Sequence, residues 1–296
     1  MSRVVVLTGA SSGIGRAAAL AFAQRGDRVV LAARGLPDLS AVAEESGGLA
    51  IPADISDGAS VDALAAAAVR AYGRIDVWVD TAAVMAYGKF EDLPPSVFDK
   101  VVTTDLLGAA NVARAALRVF RAQGQGTLVL CSSLLAHVTV PYMSAYVTAK
   151  WGLRGLIRTL RQETRDAPGI TVCTVAPGSV DTPIYQRAAN YAGRAGSPPP
   201  PVAAPSKVAE AILRQVDKPR PEVSVGLANR LIEFGFVVLP PVYDALVTTM
   251  MRTFGLSRHK IEAHEGNVFH PAQDLEQASG PDLNAQNSQF GSGGAP

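Results

Sequence analysis

Val4-Val5-Val6-Leu7-Thr8-Gly9-Ala10-Ser11-Ser12-Gly13-Ile14-Gly15 passes from an apolar run through a glycine-rich turn into an alanine-rich stretch. Val4–Leu7 reads as a buried strand and Gly13–Arg25 as an amphipathic helix. The glycines therefore fall at a strand-to-helix turn. Glycine permits a tight turn there and a close approach of backbone to a ligand. A helix N-terminus adds unpaired N–H groups and the positive end of a dipole, a combination that suits a pyrophosphate. An ordinary βα connection can carry glycines too. The position after the first strand of an alternating chain is what turns the reading toward phosphate binding.

The alternation continues outward from that turn. Arg28–Ala33, Leu49–Pro52, Ile75–Val79, Thr127–Cys131 and Ile170–Val175 read as further strands. Ser60–Tyr72, Leu106–Ala122 and Ala145–Asp166 read as helices between them. This pattern predicts the α/β class: a Rossmann-type doubly wound parallel sheet in a single domain, with a helical C-terminal extension. Its ligand should lie at the carboxyl ends of the strands. Ser197–Pro205 is too rich in proline for a helix or central strand and is expected to be a loop, part of a lid over Ile184–Ala204. A helix over Ser206–Val216, capped by Ser206, and a last strand, Glu222–Val225, should close the domain at residue 226. Residues 227–270 carry two apolar segments broken by Pro240-Pro241, and 271–296 read as a disordered tail rich in Gln, Asn, Ser and Gly. The extension could cap a pocket, pack on a partner subunit or touch a membrane surface. A helical pair folded onto the domain is the reading preferred.

Composition narrows the function. With 48% hydrophobic and 18% charged residues, the 296-residue chain can bury a large core. A net charge of +1 without basic clusters argues against a nucleic-acid partner and leaves a small-molecule one. Cys131 and Cys173 lie in apolar runs and read as inert core thiols, with no metal site expected. The N-terminus lacks the features of a signal peptide, and no run of 18 apolar residues appears, so the cytosol is the expected compartment.

Two stretches carry chemistry. In Tyr146-Val147-Thr148-Ala149-Lys150 the tyrosine and lysine stand at i and i+4, on one face of a helix. A cation beside a phenol stabilises the phenolate and should bring its pKa below 10, toward a working acid–base value. Alone, such a pair is commonplace. Ser133, however, ends the Thr127–Cys131 strand segment and lies 13 positions before Tyr146.

Thr8-Gly9-x-x-x-Gly13-x-Gly15, Ser133, Tyr146-x-x-x-Lys150 and Pro177-Gly178-Ser179-Val180-Asp181-Thr182-Pro183 together resemble the classical short-chain dehydrogenase/reductase family, over about residues 3–226. The resemblance implies an oxidoreductase that interconverts an alcohol and a ketone or aldehyde. Tyr146 would be its general acid or base, Ser133 a hydrogen-bond donor to the substrate oxygen, and Lys150 a partner of the tyrosine and the nicotinamide ribose. Adjacent Ser132 is the runner-up serine. Thr8, Gly9, Ser11, Ser12, Gly13, Ile14 and Gly15 would hold the pyrophosphate. Asp54 and the Ala82 segment would meet the adenosine, and Pro177, Gly178, Val180 and Thr182 the nicotinamide. The second strand ends in Ala33-Arg34, with no acid to accept from a ribose 2′-hydroxyl. A guanidinium there favours NADP(H) over NAD(H).

The chain departs from the family twice. Asp80-Thr81-Ala82-Ala83 replaces the usual Asn-Asn-Ala-Gly, which puts binding strength in question. Asp105 stands where the family places a catalytic asparagine, adding a negative charge near Lys150. These departures keep open a cofactor-binding regulator or scaffold with little turnover; a related epimerase or dehydratase is also open. His137, Tyr142 and Met143, between Ser133 and Tyr146, are the expected substrate-pocket residues, and with Val138 they suit a small apolar carbonyl or alcohol. A homo-oligomer, dimer or tetramer, is expected.

Overall fold

The computed structural model describes residues 2–271. Its first half runs β1 (Val4–Thr8), α1 (Gly13–Gln24), β2 (Arg28–Ala33), α2 (Leu36–Ser46), β3 (Leu49–Pro52), α3 (Gly58–Tyr72), β4 (Val77–Asp80), β5 (Ala86–Tyr87) and α4 (Pro95–Val102). There follow α5 (Ala109–Gln123), β6 (Gly126–Cys131), α6 (Ser144–Glu163), β7 (Ile170–Pro177), β8 (Ala189–Asn190) and β9 (Arg194–Gly196). The last elements are α7 (Pro205–Asp217), β10 (Glu222–Val225), α8 (Asn229–Val238), α9 (Pro240–Met250) and β11 (Leu256–Lys260).

Seven strands form one sheet in the order β10-β7-β6-β4-β1-β2-β3, and every pair in it is parallel. The chain winds outward from β1 to β3, then returns to place β4 on the other side of β1. The loops after β1 and β4 therefore diverge and open a crevice at the carboxyl ends. Side chains alternate across the sheet. Val6 enters one core with Trp78, Leu128 and Leu130 beneath α3, α5 and α6, while Val5 and Leu7 enter the other beneath α1, α2 and α7. A third buried cluster, with Tyr87, Met143, Tyr146 and Met251, lies beyond the strand ends.

Several expectations need correcting. Helices α2 and α4 were not expected. Each starts at a proline in its first turn, where a missing N–H costs nothing. Strand β4 begins at Val77 rather than Ile75. Helix α7 begins at Pro205 with Ala204 as its N-cap, so Ser206 is inside the helix and caps nothing. The helix expected over Leu106–Ala122 opens as a π-helical turn, Thr103–Gly108, before α5. The extension is helical through α8 and α9, as expected, and adds β11, which pairs antiparallel with β9. Of the tail expected over 271–296, Pro271 packs against Gly35, and residues 272–296 lie outside the described residues. Among the described residues, no helix is long and apolar enough to cross a membrane.

Candidate active site

The glycine turn lines one end of a cavity of about 290 Å³ through Gly9, Ser11, Ser12, Gly13, Ile14 and Gly15. Ser12 caps α1 without a side-chain hydrogen bond, so the first-turn N–H groups keep no side-chain partner. Gly9 has φ of 76°, and a Cβ there would lie 2.5 Å from the Ala82 nitrogen, so only glycine fits. Thr8 is fully buried beneath the turn; its hydroxyl donates to Asp80 Oδ1 at 2.7 Å. Asp80 Oδ1 also accepts from Ala82 N at 3.2 Å, and the Thr81 hydroxyl donates to Thr8 O at 2.8 Å. The unusual Asp80–Ala83 segment is thus wired directly to the glycine turn. Burial raises the pKa of Asp80 from its ordinary value, against the pull of Thr8 and Lys150.

The helix α6 presents Tyr146 and Lys150 to the same cavity, both almost fully buried. Lys150 Nζ stands 5.2 Å from the Tyr146 ring centroid and 3.4 Å from Asp105 Oδ2. Asp105 itself lies behind the cavity wall on the π-helical turn, a form often found at functional sites. Its Oδ1 accepts from Val84 N at 2.8 Å, a bond that an asparagine oxygen could equally make. Ser133 leaves β6 into the cavity, and its Oγ accepts from Leu135 N at 3.1 Å. The neighbouring Ser132 Oγ also faces this wall and is buried without a hydrogen-bond partner.

The electrostatics correct one expectation. Burial pushes the Tyr146 phenol up to about 12, outweighing the opposing pull of Lys150, with Asp105 adding to the rise. Burial likewise lifts the Asp105 carboxyl to about 6, against the pull of Lys150. Lys150 is held above its ordinary value: burial pulls it down, but Tyr146, Asp105, Cys131 and Asp80 together prevail. Cys131 proves to line the cavity, yet burial pushes its thiol up to about 11, which keeps it a poor nucleophile.

Beside the end of β2, Arg34 and Asp54 line the cavity, joined by Asp38, Arg187 and Asn267, which sequence reading missed; Ala82 lies against Gly9 at the turn itself. Asp54 Oδ1 closes an Asx turn, accepting from the Ser56 nitrogen and hydroxyl at 2.9 and 2.8 Å. Pro177, Gly178, Val180 and Thr182 also line the cavity, with Thr182 against Gly13.

At the tyrosine end, Met143 and Val138 line the cavity as expected from their position. His137 and Tyr142 do not. His137 Nε2 pairs with Glu222 Oε1 at 2.6 Å, turning the ring toward β10. Tyr142 adopts φ of 70°, which throws its side chain outward to accept from Arg252 Nε at 2.9 Å. The wall is completed by Tyr87, Tyr185, Ile232, Tyr243, Met250 and Met251. Four of these come from α8, α9 and the turn after it. Their segments carry apolar residues both inward and outward, among few charged ones, so periodicity could not tell the inward residues from the outward ones.

The short chain dehydrogenase family model matches residues 3–191. An uncharacterized oxidoreductase of Bacillus subtilis is 31% identical over 257 residues, covering 84% of this chain and 72% of that protein. The D-beta-hydroxybutyrate dehydrogenase of Rhizobium meliloti is 32% identical over 194 residues, covering 63% and 75%. The crystal structure of a 3-ketoacyl-(acyl-carrier-protein) reductase from Brucella melitensis, complexed with NADH, superposes with a TM-score of 0.67 at 25% identity, covering 75% of this chain and 96% of that one. The match spans β1 through β8, and so takes in the glycine turn, Ser133, Tyr146 and Lys150 on one doubly wound sheet. This chain is therefore an oxidoreductase of the short-chain dehydrogenase/reductase family.

Proposed function

We propose that the protein interconverts a small apolar alcohol and its ketone or aldehyde, using NADP(H). The observation that carries this reading is the buried Tyr146–Lys150 pair, set in the same cavity as Ser133 and continuous with the glycine turn. The residues present fit a nicotinamide dinucleotide. The Gly9 cradle leaves no room for a Cβ, α1 has uncapped N–H groups, and Ser132 Oγ and Asn267 Oδ1 are buried polar atoms without partners. When bound, the nicotinamide supplies or accepts the hydride.

The chain's own groups do the rest. In reduction, Tyr146 Oη gives its proton to the substrate oxygen as the carbonyl carbon gains the hydride. In oxidation, the Tyr146 phenolate takes that proton back. The Ser133 hydroxyl donates to the same oxygen and stabilises its developing charge. The Lys150 cation holds the phenolate and orients the ribose, while Asp105 fixes Lys150 from behind. A wall of Met143, Met251, Tyr87 and Tyr185 excludes water and favours apolar substrates. The choice of NADP(H) is supported by Ala33-Arg34, with Arg187 a second cation at that end. NADH in the Brucella relative makes NAD(H) the alternative. A homo-oligomer and a cytosolic setting complete the reading; the two free cysteines suit a reducing compartment.

The experiment is NADPH oxidation monitored against a panel of apolar ketones and aldehydes. Turnover that is lost in Tyr146→Phe is the expected result. A wild-type protein that binds NADPH but turns over no carbonyl would overturn the reading. Sedimentation velocity decides the assembly, since a lone species near 30.8 kDa would refute the oligomer.

A further inference from the structure

Arg34, the residue proposed to take the 2′-phosphate, already donates from both of its Nη groups. Its Nη1 donates to Val268 O at 3.0 Å and Phe269 O at 3.5 Å, and its Nη2 to Asn267 O at 2.5 Å. These carbonyls belong to residues 264–271, which return from beyond β11 to the end of β2. The segment is docked at several points. His264 and Asn190 exchange backbone hydrogen bonds of 3.0 and 2.8 Å, and Asn267 N donates to Arg187 O at 2.8 Å. Val268 is completely buried in the cluster that holds Tyr87, Met143 and Tyr146. Pro271 rests against Gly35, only 3.2 Å from where a Cβ would stand. Asn267 and Pro271 line the cavity, and Asn267 Oδ1 is buried there without a partner.

The consequence is electrostatic. A guanidinium binds phosphate through charge-assisted bonds from its Nη groups, about twice as strong as neutral ones. Here those groups face carbonyl oxygens. A phosphate brought to the same donors would set its oxygens against the carbonyl oxygens, acceptor against acceptor. A 2′-hydroxyl makes no such demand. It needs an acceptor, and Asn267 Oδ1 offers one at this end.

We propose that residues 264–271 form a strap that competes with a 2′-phosphate for Arg34, so that binding of NADP(H), and not of NAD(H), releases the strap. This rests on the reading of Arg34 given above. The strap makes the chain's own C-terminal segment a determinant of cofactor preference. Apparent affinity for NADP(H) is lowered by the fraction of molecules in which the strap is open. NAD(H) binds beneath a docked strap.

The test uses the full chain with NADP⁺ and NAD⁺ as probes. Hydrogen exchange at the His264 and Asn267 amides should accelerate with saturating NADP⁺ and stay unchanged or slow with NAD⁺. Gly266→Val supplies a second measurement. Gly266 has φ of 54°, and a Cβ there would lie 2.3 Å from Arg187 O, so the valine undocks the strap from a position that does not itself line the cavity. NADP⁺ should then bind about tenfold more tightly, as expected if about nine molecules in ten keep the strap docked, while NAD⁺, which loses the Asn267 acceptor, should bind no more tightly than to the wild type. Protection of the strap amides by NADP⁺ would overturn the proposal. So would a Gly266→Val protein that binds NADP⁺ no better than wild type. If that variant fails to fold, the wild-type exchange decides. The reading of Arg34 fails separately: adding Arg34→Ala to Gly266→Val would then cost no NADP⁺ affinity.

Discussion

The carboxylate of Asp105, 3.4 Å from Lys150 Nζ, adds to the burial that raises the Tyr146 phenol against the pull of Lys150. Asp105 titrates near 6 because burial disfavours its ionised form, and once ionised it raises the Tyr146 pKa. Reduction needs the neutral phenol and oxidation the phenolate. Removing the negative charge lowers the Tyr146 pKa, so the limb set by Tyr146 should move to lower pH in both directions for Asp105→Asn. The wild-type profile of kcat/KM should carry an added inflection near pH 6 that the variant lacks. Profiles of the two proteins that superimpose would rule this coupling out. Tyr146→Phe should lower kcat by about 10²–10⁴-fold while NADPH affinity by fluorescence titration stays within a few-fold. Retained turnover would remove Tyr146 from the chemistry. Ser133, Tyr146 and Lys150 were singled out in the sequence by the spacing that resembles the family's, and the structure brings them to one cavity because a strand end, a short turn and one helical face hold them close. His137 and Tyr142 misled for the opposite reason. Each is close in sequence to Ser133 and Tyr146, but its direction is fixed by a partner far along the chain, Glu222 or Arg252.

At the scale of elements, the strand–turn–helix at β1 and α1 is held by its contact with β4. Gly9 lies against the Ala82 backbone, and Thr8 reaches the Asp80 carboxylate. Gly9→Ala puts a Cβ into a backbone conformation with positive φ and into a gap that cannot take it. The expected cost is about 2 kcal/mol or more, a drop of roughly 4–8 °C in melting temperature, together with loss of dinucleotide affinity. A thermal melt within 1–2 °C of wild type would show that the loop yields more easily than its contacts imply. The strands were readable because buried parallel strands are nearly continuous apolar runs. The helices α2 and α4 were passed over although their marks were present: Pro37 and Pro95 in first turns, and Leu39, Val42 and Ala43 at helical spacing behind the first. The π-helical turn at Thr103–Gly108 had no such mark, since its form depends on the contacts of Asp105 with Val84 and Lys150.

At the scale of the whole molecule, α8 and α9 divide their apolar side chains between the cavity and the outside. Ile232, Tyr243, Met250 and Met251 face inward, whereas Leu231, Val237 and Leu246 are 74%, 71% and 65% exposed. Exposed apolar residues concentrated on two consecutive helices in this way differ from the singly scattered ones of an ordinary surface. The two faces predict opposite results on substitution. Met251 is 2% exposed and packs in the cluster that contains Tyr146, so Met251→Ala removes a buried side chain and leaves a cavity. That should cost about 2–5 kcal/mol and lower the melting temperature by several degrees. Replacing Leu231, Val237 and Leu246 together by glutamine removes little buried area from a single chain. Surface changes of this kind usually lie within about 0.5 kcal/mol each, so the melt should shift by no more than a few degrees. Both proteins can be compared in one calorimetric series run at two concentrations. If the triple variant melts as low as Met251→Ala, the outer face is buried in solution, and dependence of the wild-type melt on protein concentration would show a second copy of the chain covering it. If the triple variant melts near wild type at both concentrations, the stability of the extension comes from its inner residues, and the cavity wall and the fold are held by the same side chains.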